Sequence, residues 1–254
     1  MCGRFVITSA PAALRQIFGY VEQPNFPPRH NIAPTQPVPV VILENGTRHF
    51  RLMRWGLLPA WVKDPRNFSL LINARAETVA EKPAFKNAIR RRRCLIPADG
   101  YYEWRLAENR KRPCFIHRRD GAAFGLAGLA ETWIGPNGEE LDTVAIVTAP
   151  ASPDLAPLHD RVPVSIAPGD FDHWLDCGAD DAGTVMRLLR APSEGEFVWY
   201  EVSTRVNRVA NDDAQLILPI TPEESAAEEA KAPGRATRHR PATVARDEGQ
   251  GSLF

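Results

Sequence analysis

The sequence predicts an α+β fold: a curved, largely antiparallel, barrel-like sheet with peripheral helices and a disordered C-terminal tail. Three observations carry this prediction. Short apolar and β-branched runs, separated by Gly-containing turns, dominate the middle of the chain, which favours pairing between strands close in sequence. Helical periodicity collects toward the edges. Composition then changes abruptly after Ile220, beyond which Val244 is the only large aliphatic residue up to Ser252. The 254 residues, 44% hydrophobic and with six Trp, are enough for one large core. They divide into a folded unit, residues 1–220, and a tail, residues 221–254.

The elements follow in order. Ser9 is placed to cap a helix running to about Phe18. Pro11 stands in its first turn, Leu14, Ile17 and Phe18 share one face, and Gly19 ends it. Val38–Leu43 and His49–Arg54 flank Asn45-Gly46, the signal of a two-residue hairpin. Pro83–Arg92 reads as a short helix. Cys94–Ile96, Tyr101–Arg105, Cys114–Arg118, Phe124–Glu131 and Thr143–Thr148 read as strands. Pro168–Leu175 and Ala182–Leu189 read as helices, and Val198–Val202 as a late strand. From Thr221 on, the Ala-, Glu-, Arg-, Thr- and Pro-rich chain buries too little apolar surface to offset its ordering entropy.

Charge and cysteine usage narrow the function classes. Lys plus Arg and Asp plus Glu number 31 each, so the formal net charge is zero. Any nucleic-acid contact must therefore concentrate basic groups on one face. Cys2, Cys94, Cys114 and Cys177 are scattered without a Cys-x-x-Cys spacing, which predicts neither a metal site nor a disulfide framework. The N-terminus carries Arg4 and Arg15 and no apolar stretch of signal length, and no run is apolar enough to span a bilayer. These features predict a reduced, cytoplasmic monomer with no cofactor and no membrane partner.

The chain opens Met1-Cys2-Gly3-Arg4-Phe5. An initiator methionine is normally removed before a small residue, and Cys2 would then present an α-amine and a thiol on adjacent carbons. Ordinary pKa values near ~8 and ~8.5 leave both groups reactive at neutral pH. Such a pair condenses with an aldehyde, first as a Schiff base and then as a thiazolidine ring. Three further strings carry polar groups suited to assist. Asn73-Ala74-Arg75-Ala76-Glu77-Thr78 alternates Asn73 and Arg75 in an extended segment, although Glu77 and Thr78 also suit a helix cap. Glu103 lies among aromatics in Gly100-Tyr101-Tyr102-Glu103-Trp104, where a dry setting raises a carboxyl pKa toward general acid–base use. His159 lies between prolines in Pro157-Leu158-His159-Asp160-Arg161-Val162-Pro163.

Together with Asn31-Ile32-Ala33-Pro34-Thr35 and Trp55-Gly56-Leu57, which is followed by Pro59 and Trp61, these strings resemble the SRAP (SOS response-associated peptidase) family of abasic-site processing proteins, its YedK-like bacterial members included. The resemblance covers about residues 2–218 and implies an SRAP-like fold. It also implies that Cys2 attacks the ring-opened aldehyde of an abasic sugar in single-stranded DNA, forming a thiazolidine DNA–protein crosslink. Glu103 would move protons, His159 would act near the sugar hydroxyl, and Asn73 would hold the Cys2 end. A weak autoproteolytic activity that exposes Cys2 is part of the same implication. The neighbours Arg4, Arg75 and Arg161, with Asn31, are candidates for DNA contacts, and Trp61 for stacking on a base. Arg90–Arg93 spreads around a helix and reads mainly as a solvated helix end.

The tail ends Gln250-Gly251-Ser252-Leu253-Phe254. Apolar residues closing a polar segment suit a partner's pocket, and Gln250, Leu253 and Phe254 resemble the bacterial sliding-clamp-binding motif. The expected place of action is thus the nucleoid. Two other functions fit parts of the pattern. One is a cysteine peptidase using Cys2, His159 and Glu103 on peptides. The other is a non-covalent single-stranded DNA binder.

Overall fold

The structure, a computed structural model, describes residues 2–107, 109–179 and 182–231. In chain order its strands are β1 (Phe5–Ile7), β2 (Arg29–Ile32), β3 (Pro37–Glu44), β4 (Thr47–Trp55), β5 (Asn73–Arg75), β6 (Arg93–Ala98), β7 (Gly100–Ala107), β8 (Arg110–Arg118), β9 (Phe124–Ile134), β10 (Glu140–Pro150), β11 (Arg161–Pro163), β12 (Ser165–Ile166) and β13 (Phe197–Glu201). The helices are α1 (Pro11–Phe18), α2 (Ala88–Arg91), α3 (Phe171–Leu175), α4 (Ala182–Val185) and α5 (Pro222–Lys231).

Five strands close a barrel. β3 and β4 pair antiparallel across Asn45 and Gly46, whose φ angles of 50° and 75° are those a two-residue hairpin turn requires. β4 meets β10 in parallel at Arg54–Trp55. β10 pairs with β9, β9 with β6, and β6 returns to β3 where Leu95 faces Val41. A second sheet runs β13-β8-β7-β1-β2. The two sheets share a core, in which Phe5 of β1 meets Trp55 of β4 edge-on at 5.1 Å. Gly125 of β9 leaves room for α1 and α3: a Cβ there would lie 3.1 Å from both Phe18 and Phe171, whose rings stack at 5.3 Å.

The expected α+β class with a curved, mainly antiparallel sheet is what the chain forms. Three local expectations change. Ser9 does not cap α1. Its amide (2.9 Å) and hydroxyl, with the Thr8 amide (2.6 Å), bind the Asp99 carboxylate between β6 and β7. One carboxylate gathering three donors prevails over a local cap, and Ala10 takes the N-cap position. The helix expected over Pro83–Arg92 contracts to α2, preceded by turns. The tail is corrected for its first residues, because α5 occupies Pro222–Lys231. Thr221 Oγ1 accepts from the Glu224 amide at 3.2 Å, and Glu224 accepts from the Thr221 amide at 2.9 Å. This reciprocal capping box moves the end of the ordered chain from Ile220 to at least Lys231. Gln250, Leu253 and Phe254 lie outside the described residues. Among the described residues, no helix is long and apolar enough to cross a membrane, and no cluster of three metal-ligating side chains occurs.

Candidate active site

The pairing of β1 with β7 places the N-terminal residues. Phe5 faces Tyr101, Val6 faces Gly100, and the Tyr102 amide donates to the Arg4 carbonyl at 3.0 Å. Continued outward, this register sets Gly3 opposite Glu103 and leaves Cys2 beside it. Cys2 is fully buried, with Sγ 3.9 Å from the Arg4 carbonyl. Burial first, and then the Glu103 charge, push the thiol far above the ordinary thiol range. The expectation of a thiol already reactive at neutral pH is therefore corrected.

Glu103 is the candidate base. It is 4% exposed. Burial raises its carboxyl above the ordinary carboxylate range, while neighbouring positive charge, His159 included, works against the shift. Tyr101, two residues earlier on the same face of β7, is also buried. Its phenol is raised well above its usual value by burial and then by Cys2, Glu103 and Asp154. Sequence reasoning missed Tyr101 as a wall of the site, although the period-two alternation with Glu103 was legible. It also missed Asp154, which accepts from the Gly195 amide at 2.9 Å and so ties the His159 loop to the segment before β13. Nothing local signals that long-range contact.

The opposite arm comes from the barrel. β5 runs parallel to β10, with Asn73 facing Ile146 and Arg75 facing Thr148. Asn73 Nδ2 donates to the Cys2 carbonyl at 2.9 Å, bridging the two sheets. Its Oδ1 is buried without a hydrogen-bond partner among the described residues. β10 continues into a loop that returns as β11, with Pro150 facing Arg161, and this loop carries His159. The His159 Nδ1 lies 3.0 Å from the Arg161 amide and 2.6 Å from Asp160 Oδ1. One nitrogen cannot accept and donate at once. The neutral ring accepts from the amide and carries its proton on Nε2, whereas the protonated ring donates to Asp160.

The expected DNA-contacting residues separate into two groups. Arg4, Asn31 and Arg161 are committed inside the fold. Arg4 Nη1 donates to Asn31 Oδ1 and to the Val206 carbonyl, both at 2.7 Å. Asn31 is 1% exposed, and its Nδ2 lies 3.2, 3.1 and 2.8 Å from the carbonyls of Val206, Arg208 and Asn211. Arg161 grips both oxygens of Glu77 at 2.8 Å and also contacts Thr148. This fork holds the Glu77 carboxyl below the ordinary carboxylate range. Arg75 and Trp61 are different. Arg75 is exposed on the face it shares with Asn73, and Trp61 is 59% exposed, set edge-on to Phe68 at 5.6 Å. The site thus brings Cys2, Asn73, Glu103 and His159 together and leaves one cation and one aromatic ring open.

Comparisons with known proteins find relatives over most of the chain. A family model described as SOS response associated peptidase (SRAP) matches residues 1–209. Abasic site processing protein YoqW of Bacillus subtilis is 34% identical over 221 residues, covering 85% of this chain and 99% of that protein. Abasic site processing protein YedK of Escherichia coli is 33% identical over 196 residues, covering 76% and 85%. A solved structure of a Bacteroides thetaiotaomicron protein superposes with a TM-score of 0.78 at 22% identity, covering 87% of this chain and all of that one.

Proposed function

The chain belongs to the SOS response associated peptidase (SRAP) family, and from that premise we propose that it processes abasic sites in single-stranded DNA by covalent capture on Cys2. The observation that carries the reading is the buried pairing of Cys2 with Glu103, tied to β5 by Asn73. After Met1 is removed, the Cys2 amine adds to the aldehyde carbon of the ring-opened sugar, forming a C–N bond. The Glu103 carboxyl, pushed toward its neutral form by burial, donates to the carbinolamine hydroxyl, and water leaves. The resulting Glu103 carboxylate then takes the Cys2 thiol proton as sulfur attacks the imine carbon and closes the thiazolidine. One raised carboxyl thus serves as acid and then as base. His159, on the loop beside Glu103, is suited to proton exchange with the sugar oxygen through its ring nitrogens. Trp61 and Arg75 are the groups available to stack on a base and to hold a phosphate.

A peptidase built on Cys2 and His159 has less support. Cys2 is fully buried with Sγ turned to the Arg4 carbonyl at 3.9 Å, and His159 Nδ1 is engaged by the Arg161 amide and Asp160.

The deciding experiment incubates the purified chain with a uracil-excised oligonucleotide and measures intact mass. The expected product is a heat-stable adduct equal to the sum of the two molecules less one water. Cys2→Ala is expected to lose the adduct and keep salt-sensitive binding. A Met1-retaining form that reacts at full rate would overturn the aminothiol step. The C-terminal Gln250, Leu253 and Phe254 complete the proposal as an anchor for a sliding clamp, raising the local concentration of the site near replicating DNA. Calorimetry of the Gly249–Phe254 peptide against purified bacterial clamp tests it; absence of binding at high micromolar peptide would remove this element.

A further inference from the structure

One turn holds both arms of the reactive pair from outside. The Val206 carbonyl accepts from Arg4 Nη1 at 2.7 Å, and the Asn207 carbonyl from Arg4 Nη2 at 3.4 Å. The Asn207 side-chain oxygen accepts from Trp104 Nε1 at 2.8 Å. Arg4 follows Cys2 by two residues, and Trp104 follows Glu103 by one. A shift of the 3-10 turn Thr204–Asn207 is therefore passed toward both reacting side chains through the hydrogen bonds of Arg4 and Trp104.

The start of that turn is held by α5. Glu228 accepts from the Ser203 hydroxyl on one carboxylate oxygen and from the Thr204 amide on the other, the latter at 2.9 Å. One turn earlier on α5, Ser225 Oγ accepts from Arg112 Nη1 of β8 at 2.9 Å. α5 has little apolar surface to bury, so these charge-assisted bonds carry most of its attachment. It also lies beyond residues 1–209, the span of the family match.

We propose that α5 braces the reactive end of the chain, with Glu228 as a positioning residue that acts through Ser203–Asn207, Arg4 and Trp104 on Cys2 and Glu103. The inference rests on the proposed crosslinking function for its rate readout, but not for its structural one. Without Glu228 the Thr204 amide and the Ser203 hydroxyl turn to water, and the turn loses its far support. The two reacting groups must stay within bonding distance through two proton transfers, where displacements of about 1 Å cost up to ~100-fold in rate.

The test uses full-length Glu228→Ala, Glu228→Gln and Ala227→Pro; the proline removes the helix outright. Glu223→Gln, on an exposed first-turn position, is the control. The expected result for Glu228→Ala and Ala227→Pro is about a tenfold fall in the single-turnover maximum rate, with the half-saturating concentration of abasic oligonucleotide unchanged. Glu228→Gln, which keeps an acceptor, recovers part of the rate. Hydrogen exchange of the Tyr102 amide, bonded to the Arg4 carbonyl, is expected to quicken in the same variants without DNA. Wild-type rate and wild-type Tyr102 exchange in Ala227→Pro would overturn the brace. If the wild-type chain forms no crosslink, the functional reading fails, while the exchange measurement still decides the brace: quickened exchange upholds it and unchanged exchange ends it.

Discussion

Glu103 and Glu77 flank the same site and are held in opposite states. Glu103 sits on β7 at 4% exposure, and burial raises its carboxyl. Glu77, just after β5, keeps a side chain 46% exposed and is gripped by the Arg161 fork, which lowers its carboxyl. One residue type is therefore pushed toward its neutral form on one wall and toward its anion on the other. The difference lies in the surroundings: desolvation penalises the charged form, and a bidentate guanidinium rewards it. At Glu103 the burial outweighs the neighbouring positive charge. At Glu77, which holds two segments together, the guanidinium prevails.

The largest expected effect tests the Glu103 half of this contrast. Glu103→Gln keeps the shape and removes the titration, so the crosslinking rate is expected to fall by about 100-fold or more, with DNA affinity unchanged in a binding assay with intact oligonucleotide. Equal rates in Gln and Glu forms would break the comparison. The same substitution reads on stability with the opposite sign. A carboxyl whose folded pKa is raised costs nothing below its unfolded pKa, and its ionisation lowers stability as pH rises from there through the folded value. Glu103→Gln is therefore expected to melt above wild type at neutral pH, with the difference closing toward pH ~4. Thermal melts across pH check it.

Glu77→Gln tests the other half. It removes the charge from the fork that joins β5 to β11, and about a fivefold fall in crosslinking rate is expected as Asn73 and the His159 loop lose registration. The stability loss is smaller, about 0.5–1 kcal/mol, because the pair is partly exposed and screened. Its pH sign is the reverse of that for Glu103. The contribution is present above the ordinary carboxylate pKa and disappears as pH falls through the lowered one. The difference from wild type should thus shrink under acid conditions and in high salt; denaturant titrations at two pH values and two salt concentrations measure both.

How much of this was legible varied with the range of the contacts involved. The Asn45-Gly46 hairpin and Gly19 as the end of α1 depend on residues within a few positions, and both were read from local signals. The capping box Thr221–Glu224 was equally local, yet poor apolar content argued against order there; Glu228 and Ser225 supply polar anchors instead of a buried face. Trp61 and Arg161, both candidate DNA contacts in the sequence, part company in the fold: Trp61 is exposed, and Arg161 is held by Glu77. Neither outcome is written in neighbouring residues, because each depends on a segment dozens of positions away.

The sequence by itself determined which atoms are present for chemistry. Only a cysteine that becomes the first residue can offer an amine and a thiol on adjacent carbons, and the strings around Asn73, Glu103 and His159 marked its partners. The tertiary structure decided their protonation. Pairing β1 with β7, about a hundred residues apart in sequence, seals Cys2 and Glu103 from water, and desolvation there shifts the thiol and the carboxyl toward their neutral forms. Residue identity sets a group's ordinary pKa, but only the folded surroundings set the work needed to charge it.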